Sequence, residues 1–328
     1  MLKTHIAFFT VLMFIFPSCI HAQTENTVIH QEPQSPNAKS IPFNSNTKDC
    51  ITVPFGYSDI SKQVTVDAVL SAIQDKNKLK QITDLQFDTD LKKDRIIIPE
   101  DYDVIGPFLK DLNEKYDQLR ISSHFICYGK YSFYFMAVYN TVRYAEPFIE
   151  KIYLISTKDN KPFDMKRIYL HHEGEMGLAN YTLFNIDTNH ILSIRDYEFS
   201  ENPFTVKPLR KYQLLPSGWF SRYYDNDGPY KNNEEQGMVK NHHREGKWIE
   251  LRSNRFIDSK EYPDFTDTYT YLEAEYKDGI PVGSWNCYKL LQKYNEKTGE
   301  PIFKTRKKGK LIYTEIYKDG MLDKRVFH

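Results

Sequence analysis

Glu275-Tyr276-Lys277-Asp278-Gly279-Ile280-Pro281-Val282-Gly283-Ser284-Trp285-Asn286-Cys287-Tyr288 reads as a hairpin. A strand ends at Tyr276, Asp278-Gly279 suits a turn that needs positive φ, and Gly283 allows close backbone approach just before Trp285. Fragments of the same pattern lie on either side. Gly246-Lys247-Trp248 matches Gly283-Ser284-Trp285 upstream, and Tyr317-Lys318-Asp319-Gly320 repeats Tyr276-Lys277-Asp278-Gly279 downstream. Self-similarity at roughly forty residues marks a repeated supersecondary unit. One such hairpin is too small to be stable alone, so the units must stack or continue a neighbouring sheet. Recurring hairpins of this kind build contact surfaces more readily than catalytic sites.

Upstream of the repeats, from Ile121 onward, short runs of Tyr, Phe, Ile and Leu alternate with Asp, Asn, Gly and Pro clusters, the pattern of an antiparallel sheet. Ser132–Asn140 reads as a strand, and Phe148–Ser156 pairs with Met165–His171 across Lys158-Asp159-Asn160-Lys161. Tyr181–Ile186 pairs with Ile191–Tyr197 across Asp187-Thr188-Asn189, and Leu209–Leu215 turns at Pro216-Ser217-Gly218 into Trp219–Tyr224. Hairpins in series make a meander, because strands adjacent in sequence tend to be adjacent in the sheet. Before this region two helices are predicted. Val66, Val69, Leu70 and Ile73 line one face between Lys62 and Lys80. Phe108, Leu109, Leu112, Tyr116 and Leu119 do the same from Gly106 to Leu119, with Pro107 suited to the first turn.

Asn226-Asp227-Gly228-Pro229 with Asn232-Asn233 marks a boundary dense in turn formers. The expected architecture is therefore α+β. A small N-terminal helical portion packs on an antiparallel β-meander over residues 50–225, and β-hairpin repeats occupy residues 226–328.

Tyr276-Lys277-Asp278-Gly279, Gly283-Ser284-Trp285 and Tyr288 together resemble a unit of the bacterial MORN repeat variant family, read as Tyr-x-x-Gly, a short spacer, Gly-x-Trp and a final Tyr. The upstream copy keeps Gly246, Trp248 and an apolar Leu251, with His242 at the turn-glycine position and Val239 at the Tyr position. The downstream copy keeps Tyr317 and Gly320 and carries Lys324 and Val326 at the second Gly and the Trp positions. The resemblance covers about residues 236–328 and implies a non-enzymatic scaffold for contacts. Some bacterial members are labelled antitoxins, which implies an immunity-type protein that occupies a toxin.

The N-terminus carries Lys3, an apolar run from Ile6 to Phe16 and Ile20-His21-Ala22, the zones of a secretory signal over residues 1–22. The run falls short of the ~20 residues of a membrane-spanning helix, so the mature chain is expected to be exported to the periplasm or secreted. Cleavage after Ala22 leaves Gln23 first. Phe16-Pro17-Ser18-Cys19 offers the alternative of a lipobox, in which an acylated Cys19 would tether the chain to the envelope as a lipoprotein. Residues 23–49, mostly Gln, Asn, Ser, Thr and Pro, read as a flexible leader because they hold too little apolar surface to offset ordering. An exported chain can oxidise its cysteines, and Cys50 with Cys127 is the expected disulfide, leaving Cys287 over.

Lys+Arg number 44 and Asp+Glu 44, which argues against a nucleic-acid binder. The basic run Lys304–Lys310 reads as a solvated strand end beside Leu311–Tyr317. His171-His172-Glu173-Gly174-Glu175 is the densest group of metal-ligating types, yet neighbours on a strand point to opposite faces, so no metal and no cofactor are expected. The pair His242-His243 fails on the same ground. Glu173 and Glu175 read as a solvated face rather than an acid/base pair, and phosphate loops, dinucleotide fingerprints, nucleophile elbows and His-Glu-x-x-His helices are missing from the sequence.

Tyr 24 and Phe 21 make the chain rich in rings that either pack on half-buried sheets or form binding platforms. Trp219, Trp248 and Trp285 read first as core. The candidate binding surface is Trp248, Tyr276, Trp285, Tyr288 and Tyr317, and a protein partner is expected. The leading expectation is an exported envelope protein acting as a protein-binding module, in its narrower form a toxin-neutralising one. The alternatives are an envelope glycan or lipid binder, a weak carboxylate-dependent hydrolase, and a purely structural envelope component.

Overall fold

Runs such as Phe133–Val138 are apolar at every position, and a strand of that composition has to be covered on both faces. The computed structural model describes residues 39–40, 50–57, 60–75, 77, 81–82, 84–91, 96–97, 118–128, 131–140, 148–158, 161–173, 178–199, 204–253, 269–298, 301–318 and 320–328. Its first sheet is a meander of β1 (Gln118–Tyr128), β2 (Tyr131–Asn140), β3 (Phe148–Lys158), β4 (Lys161–Glu173), β5 (Ala179–Ile186), β6 (Ile191–Phe199), β7 (Arg210–Leu214) and β8 (Phe220–Tyr223). Each strand pairs antiparallel with the next in sequence. The short strand Cys50–Ile51 adds in parallel to β1, where Cys50 and Cys127 form a disulfide with Cα atoms 5.6 Å apart.

Alternation along β2 sends Phe133, Phe135 and Ala137 into one core and Tyr134, Met136 and Val138 into another. The first core is closed by α1 (Val66–Ile73), whose Val69 and Ile73 are buried, together with Tyr57, Ile60, Ile82 and Leu85. Thr65 caps α1, its Oγ1 accepting the Ala68 N–H at 3.3 Å. The second core gathers Leu91, Leu119, Ile121, Phe125 and Ile155. Of the expected second helix, residues 106–117 lie outside the described residues, and Leu119 belongs to β1, paired with Val138 and fully buried. The expected helix end is thereby corrected, because pairing with β2 gives this backbone its hydrogen bonds while Leu119 and Ile121 share one apolar face.

The chain changes sheet at Tyr224–Asp227, within the boundary cluster. The second sheet is again a meander: β9 (Gly228–Lys231), β10 (Glu235–Lys240), β11 (His243–Ser253), β12 (Tyr269–Lys277), β13 (Gly283–Tyr294), β14 (Pro301–Lys318) and β15 (Met321–Phe327). Trp248, Leu272, Ala274, Tyr276, Trp285, Cys287, Tyr313 and Tyr317 form its core. Gly237 lies under Trp248 so closely that a Cβ there would fall 2.3 Å from the indole, so the ring covers bare backbone.

Turns of the second sheet meet the last strand of the first. The His242 ring stacks on Tyr223 at 4.9 Å, a Cβ on Gly279 would fall 1.9 Å from Ser221 Oγ, and one on Gly320 would fall 2.6 Å from Trp219 Nε1. Trp219, Ser221 and Tyr223 are alternate residues, so one face of β8 and its lead-in touches three successive turns.

Candidate functional site

The repeat legible in the sequence is also a repeat in geometry. Gly246 and Gly283 have φ of 65° and 66°. Two residues later the indole N–H of Trp248 donates to Met238 O at 3.2 Å and Glu245 O at 3.3 Å, and that of Trp285 donates to Glu275 O at 3.0 Å and Val282 O at 3.1 Å. In each case one acceptor is the carbonyl three residues back and the other lies on the preceding strand. The turns correspond as well, with φ of 52° and 65° at Asn241 and His242 and of 49° and 76° at Asp278 and Gly279. His242 thus sits in the left-handed region that glycine favours. Asp227 holds it there by accepting the Asn241 and His242 N–H groups at 2.8 and 2.7 Å, which pulls the Asp227 carboxyl below its usual range.

This geometry turns the candidate aromatics inward. Trp248 and Trp285 are 1% exposed, Tyr276 6% and Tyr317 8%, so these four are core residues and not a contact surface. The reason is the strand period: alternate positions share a face, so Trp248, Tyr276, Trp285 and Tyr317 all fall on the side that packs as the core of the second sheet. Tyr288 alone of the five is on the opposite face, half-buried, directly across from Tyr271.

Two carboxylates are buried beside these rings. Glu250 accepts from Tyr276 Oη at 2.5 Å and from Arg244 Nη1 at 3.0 Å, while Arg244 also bonds Glu235 and Tyr224. Burial works against the Arg244 charge, but Glu250, Tyr276 and Glu235 outweigh it and hold its pKa well above the usual value. Glu315 repeats the arrangement with Arg325 at 2.6 Å and Tyr317 Oη at 3.1 Å. These groups satisfy one another inside the sheet and offer a ligand nothing. The sequence reading missed them, although Arg244, Glu250 and Tyr276 each occupy a core-facing strand position.

Ser221 Oγ and His243 Nδ1 are 3.0 Å apart, a spacing that a nucleophile and its base would share. Gly279 closes over that hydroxyl and Ser221 is 3% exposed, so the pair joins the two sheets and leaves no room for an acyl group. Burial pushes the His243 pKa down.

The outer face of the second sheet is different. Tyr271 and Tyr288 meet edge to face at 6.4 Å; Glu273 accepts from Tyr288 at 3.2 Å and from Lys308 at 2.7 Å. Burial and then Glu273 raise the pKa of both phenols, whose ordinary value of about 10 already leaves them neutral at physiological pH. Ile249, Asn286 and Ile316 share this face, by the alternation of β11, β13 and β14.

On the first sheet an open cleft of about 350 Å³ is lined by Ile60, Asn185, Asp187, Lys211, Tyr223 and Asp225 among others. Lys211 pairs with Asp225 at 2.5 Å, and Asp187 Oδ1 accepts the Asn189 and Ile191 N–H groups. The histidine cluster is dispersed: His171 pairs with Glu173 at 3.0 Å, His172 approaches Glu150 at 3.7 Å, and His190 stacks on Tyr128 at 4.0 Å. Glu175 lies outside the described residues. Among the described residues no group of three His, Cys, Asp or Glu converges as a metal site, and no helix is long and apolar enough to cross a membrane. Comparison with protein-family models, with curated proteins and with solved structures finds no match to this chain.

Proposed function

We propose that this protein is an exported envelope protein whose repeat sheet, of the MORN-like kind, is a non-enzymatic protein-binding module. The observation that carries the reading is the outer face around Tyr271 and Tyr288. The inner face is filled by its own rings and ion pairs, whereas the outer face presents two neutral phenols and the aliphatic Ile249 and Ile316, with Glu273 and Lys308 beside them. Rigid tyrosines beside polar groups make contact area at low entropic cost, as in the hot spots of protein interfaces. The antitoxin label of some MORN-like proteins narrows the proposal to a toxin-neutralising, immunity-type protein.

The test is affinity capture with the chain from Gln23 onward as bait against secreted and envelope fractions. The expected result is one stoichiometric protein, bound at least tenfold more weakly by Tyr271→Ala/Tyr288→Ala, since one hot-spot truncation costs about 2 kcal/mol. Normal capture by that variant sinks the outer face as the contact. A second reading rests on the cleft: its two aspartates, Lys211 and Tyr223 suit a small polar ligand such as an envelope glycan. Saturable glycan binding lost in Asp225→Asn, with no protein captured, would replace the first reading with the second.

A further inference from the structure

Charge is balanced along the whole chain at 44 against 44, but between Lys289 and Lys310 eight lysines and arginines stand against two glutamates. The structure shows what this segment is. β12 pairs with β13 only as far as Thr270↔Lys289, and β15 pairs with β14 only as far as Phe327↔Tyr313. Past those points β13 and β14 pair with each other, from Leu290↔Lys308 to Tyr294↔Pro301. Among the described residues no third strand flanks this part, so it is a two-stranded arm, and the basic run lies within a long strand and not at its solvated end.

The arm's charge is largely unspoken for. Lys308 is held by Glu273, and Arg306 by Gln292 and the Asn233 carbonyl, with its guanidinium 4.3 Å from the centre of the Phe303 ring. Lys293, Lys297, Lys304, Lys307 and Lys310 have no carboxylate in salt-bridge reach among the described residues. Large apolar side chains stand exposed between them: Leu291 at 48%, Tyr294 at 55% and Phe303 at 45%. Leu291 lies directly opposite Lys307, so one face of the arm offers both.

We propose that this arm docks on an anionic membrane surface, its lysines on lipid phosphates and Leu291 and Tyr294 in the interfacial layer. Charge complementarity selects a polyanion, and the apolar residues select among polyanions. Lysine is depleted from the core of protein interfaces, which disfavours an acidic protein. Single-stranded nucleic acid stacks successive bases on several open ring faces, but Leu291 offers no ring, Arg306 covers Phe303, and of the three exposed apolar side chains that leaves Tyr294 alone. Lysines that snorkel around a few apolar anchors fit a headgroup layer. The proposal rests on the export reading for where the chain would meet such a surface, and although Lys308 of the arm reaches Glu273, the variants that test it leave Tyr271, Glu273, Tyr288 and Lys308 in place.

The experiment is co-sedimentation of the chain from Gln23 onward with vesicles of phosphatidylcholine alone and of phosphatidylcholine mixed with phosphatidylglycerol. Binding is expected on the anionic vesicles and to weaken with salt. Each lysine near such a surface is worth about fivefold, so Lys304→Gln/Lys307→Gln/Lys310→Gln should weaken partitioning about a hundredfold. Leu291→Ser/Tyr294→Ser should weaken it at least about tenfold while leaving the salt dependence in place. Circular dichroism and tryptophan emission identify any variant that fails to fold, and Lys297→Gln/Lys304→Gln then serves as the milder charge variant. Equal binding to both vesicles, or lysine variants that bind normally, overturns the proposal. So does a Leu291/Tyr294 variant that binds normally while a single-stranded oligonucleotide competes fully, which would mark a general polyanion site. Absence of vesicle binding alongside successful capture of a protein partner overturns this inference and leaves the proposed function standing.

Discussion

In the first sheet β2, between β1 and β3, is buried on both faces by Phe, Met, Val and Ile side chains, whereas in the second sheet β12 buries Leu272, Ala274 and Tyr276 on one face and presents Tyr271 and Glu273 on the other. The first sheet gains stability from two layers of apolar cover. Among the described residues the second has one layer, in which the Trp248 indole lies on the Gly237 backbone and two buried glutamates are each held by an arginine and a tyrosine. The same meander topology therefore serves as a core in one region and, among the described residues, leaves one face without apolar cover in the other. Repeated geometry makes the second arrangement affordable, since each Gly-x-Trp unit satisfies its own indole N–H.

The largest test of that contrast is Arg244→Leu. It leaves Glu235 and Glu250 buried without their cation, and breaking a buried pair from one side costs about 3–5 kcal/mol. Urea unfolding followed by tryptophan emission should show a loss of that order, much of it recovered in Arg244→Leu/Glu250→Met/Glu235→Gln. A loss under about 1 kcal/mol would mean that the rings alone hold the second sheet.

Phe135→Ala probes the other side of the comparison. Phe135 is fully buried in the first sheet, and its truncation should cost about 3–5 kcal/mol. Trp248 and Trp285 report on the second sheet, so the variant also asks whether the two unfold together. A tryptophan transition that moves with the circular dichroism signal indicates one cooperative unit, and one that stays in place indicates two.

Gly279→Ala attacks the junction. The new methyl would need the position of Ser221 Oγ, and the residue would keep a φ of 76°, so a loss of about 1–3 kcal/mol is expected by thermal unfolding. Ser221→Gly in the same chain should recover part of it by opening space. Full tolerance of the single variant would show that the turns do not press on β8.

The smallest effect is that of pH on the same junction. Burial lowers the His243 pKa from its ordinary 6.5, so the folded state resists a proton that the unfolded chain accepts. The stability present above pH 6.5 is therefore lost as pH falls through the folded pKa, and the melting temperature should drop with it. His190 is shifted the same way by burial and contributes with the same sign. His243→Gln should flatten part of the slope, and an unchanged slope would assign the effect elsewhere.

The hairpins of the first sheet were legible because their determinants are local. Asp187-Thr188-Asn189 between Tyr181–Ile186 and Ile191–Tyr197 states both the turn and the strands, while the register Ile186↔Leu192 is set by the turn as folded, with His190 at a φ of 59°. The end of the expected second helix was misread at Leu119 because an apolar spacing of three and four is ambiguous near a strand, and only β2 beside it decides. The repeat was legible from its glycines and tryptophans, yet the side of the sheet they face was not. Of the outer face around Tyr271 and Tyr288, only Tyr288 had been singled out.

By itself the sequence determined the serial hairpins of the first sheet, the turn-rich cluster at Asn226–Pro229 and the hairpin unit repeated around Tyr276, because turn chemistry and a period of two act over neighbouring residues, while that the repeats form a sheet of their own was decided by the tertiary structure. Tertiary structure decided which face of each strand is covered, that His242 could take a glycine's place with Asp227 to hold it, and that among the described residues β13 past Lys289 and β14 up to Lys308 pair only with each other. Those outcomes depend on partners far away in the chain, and burial, unlike a turn, has no local signature.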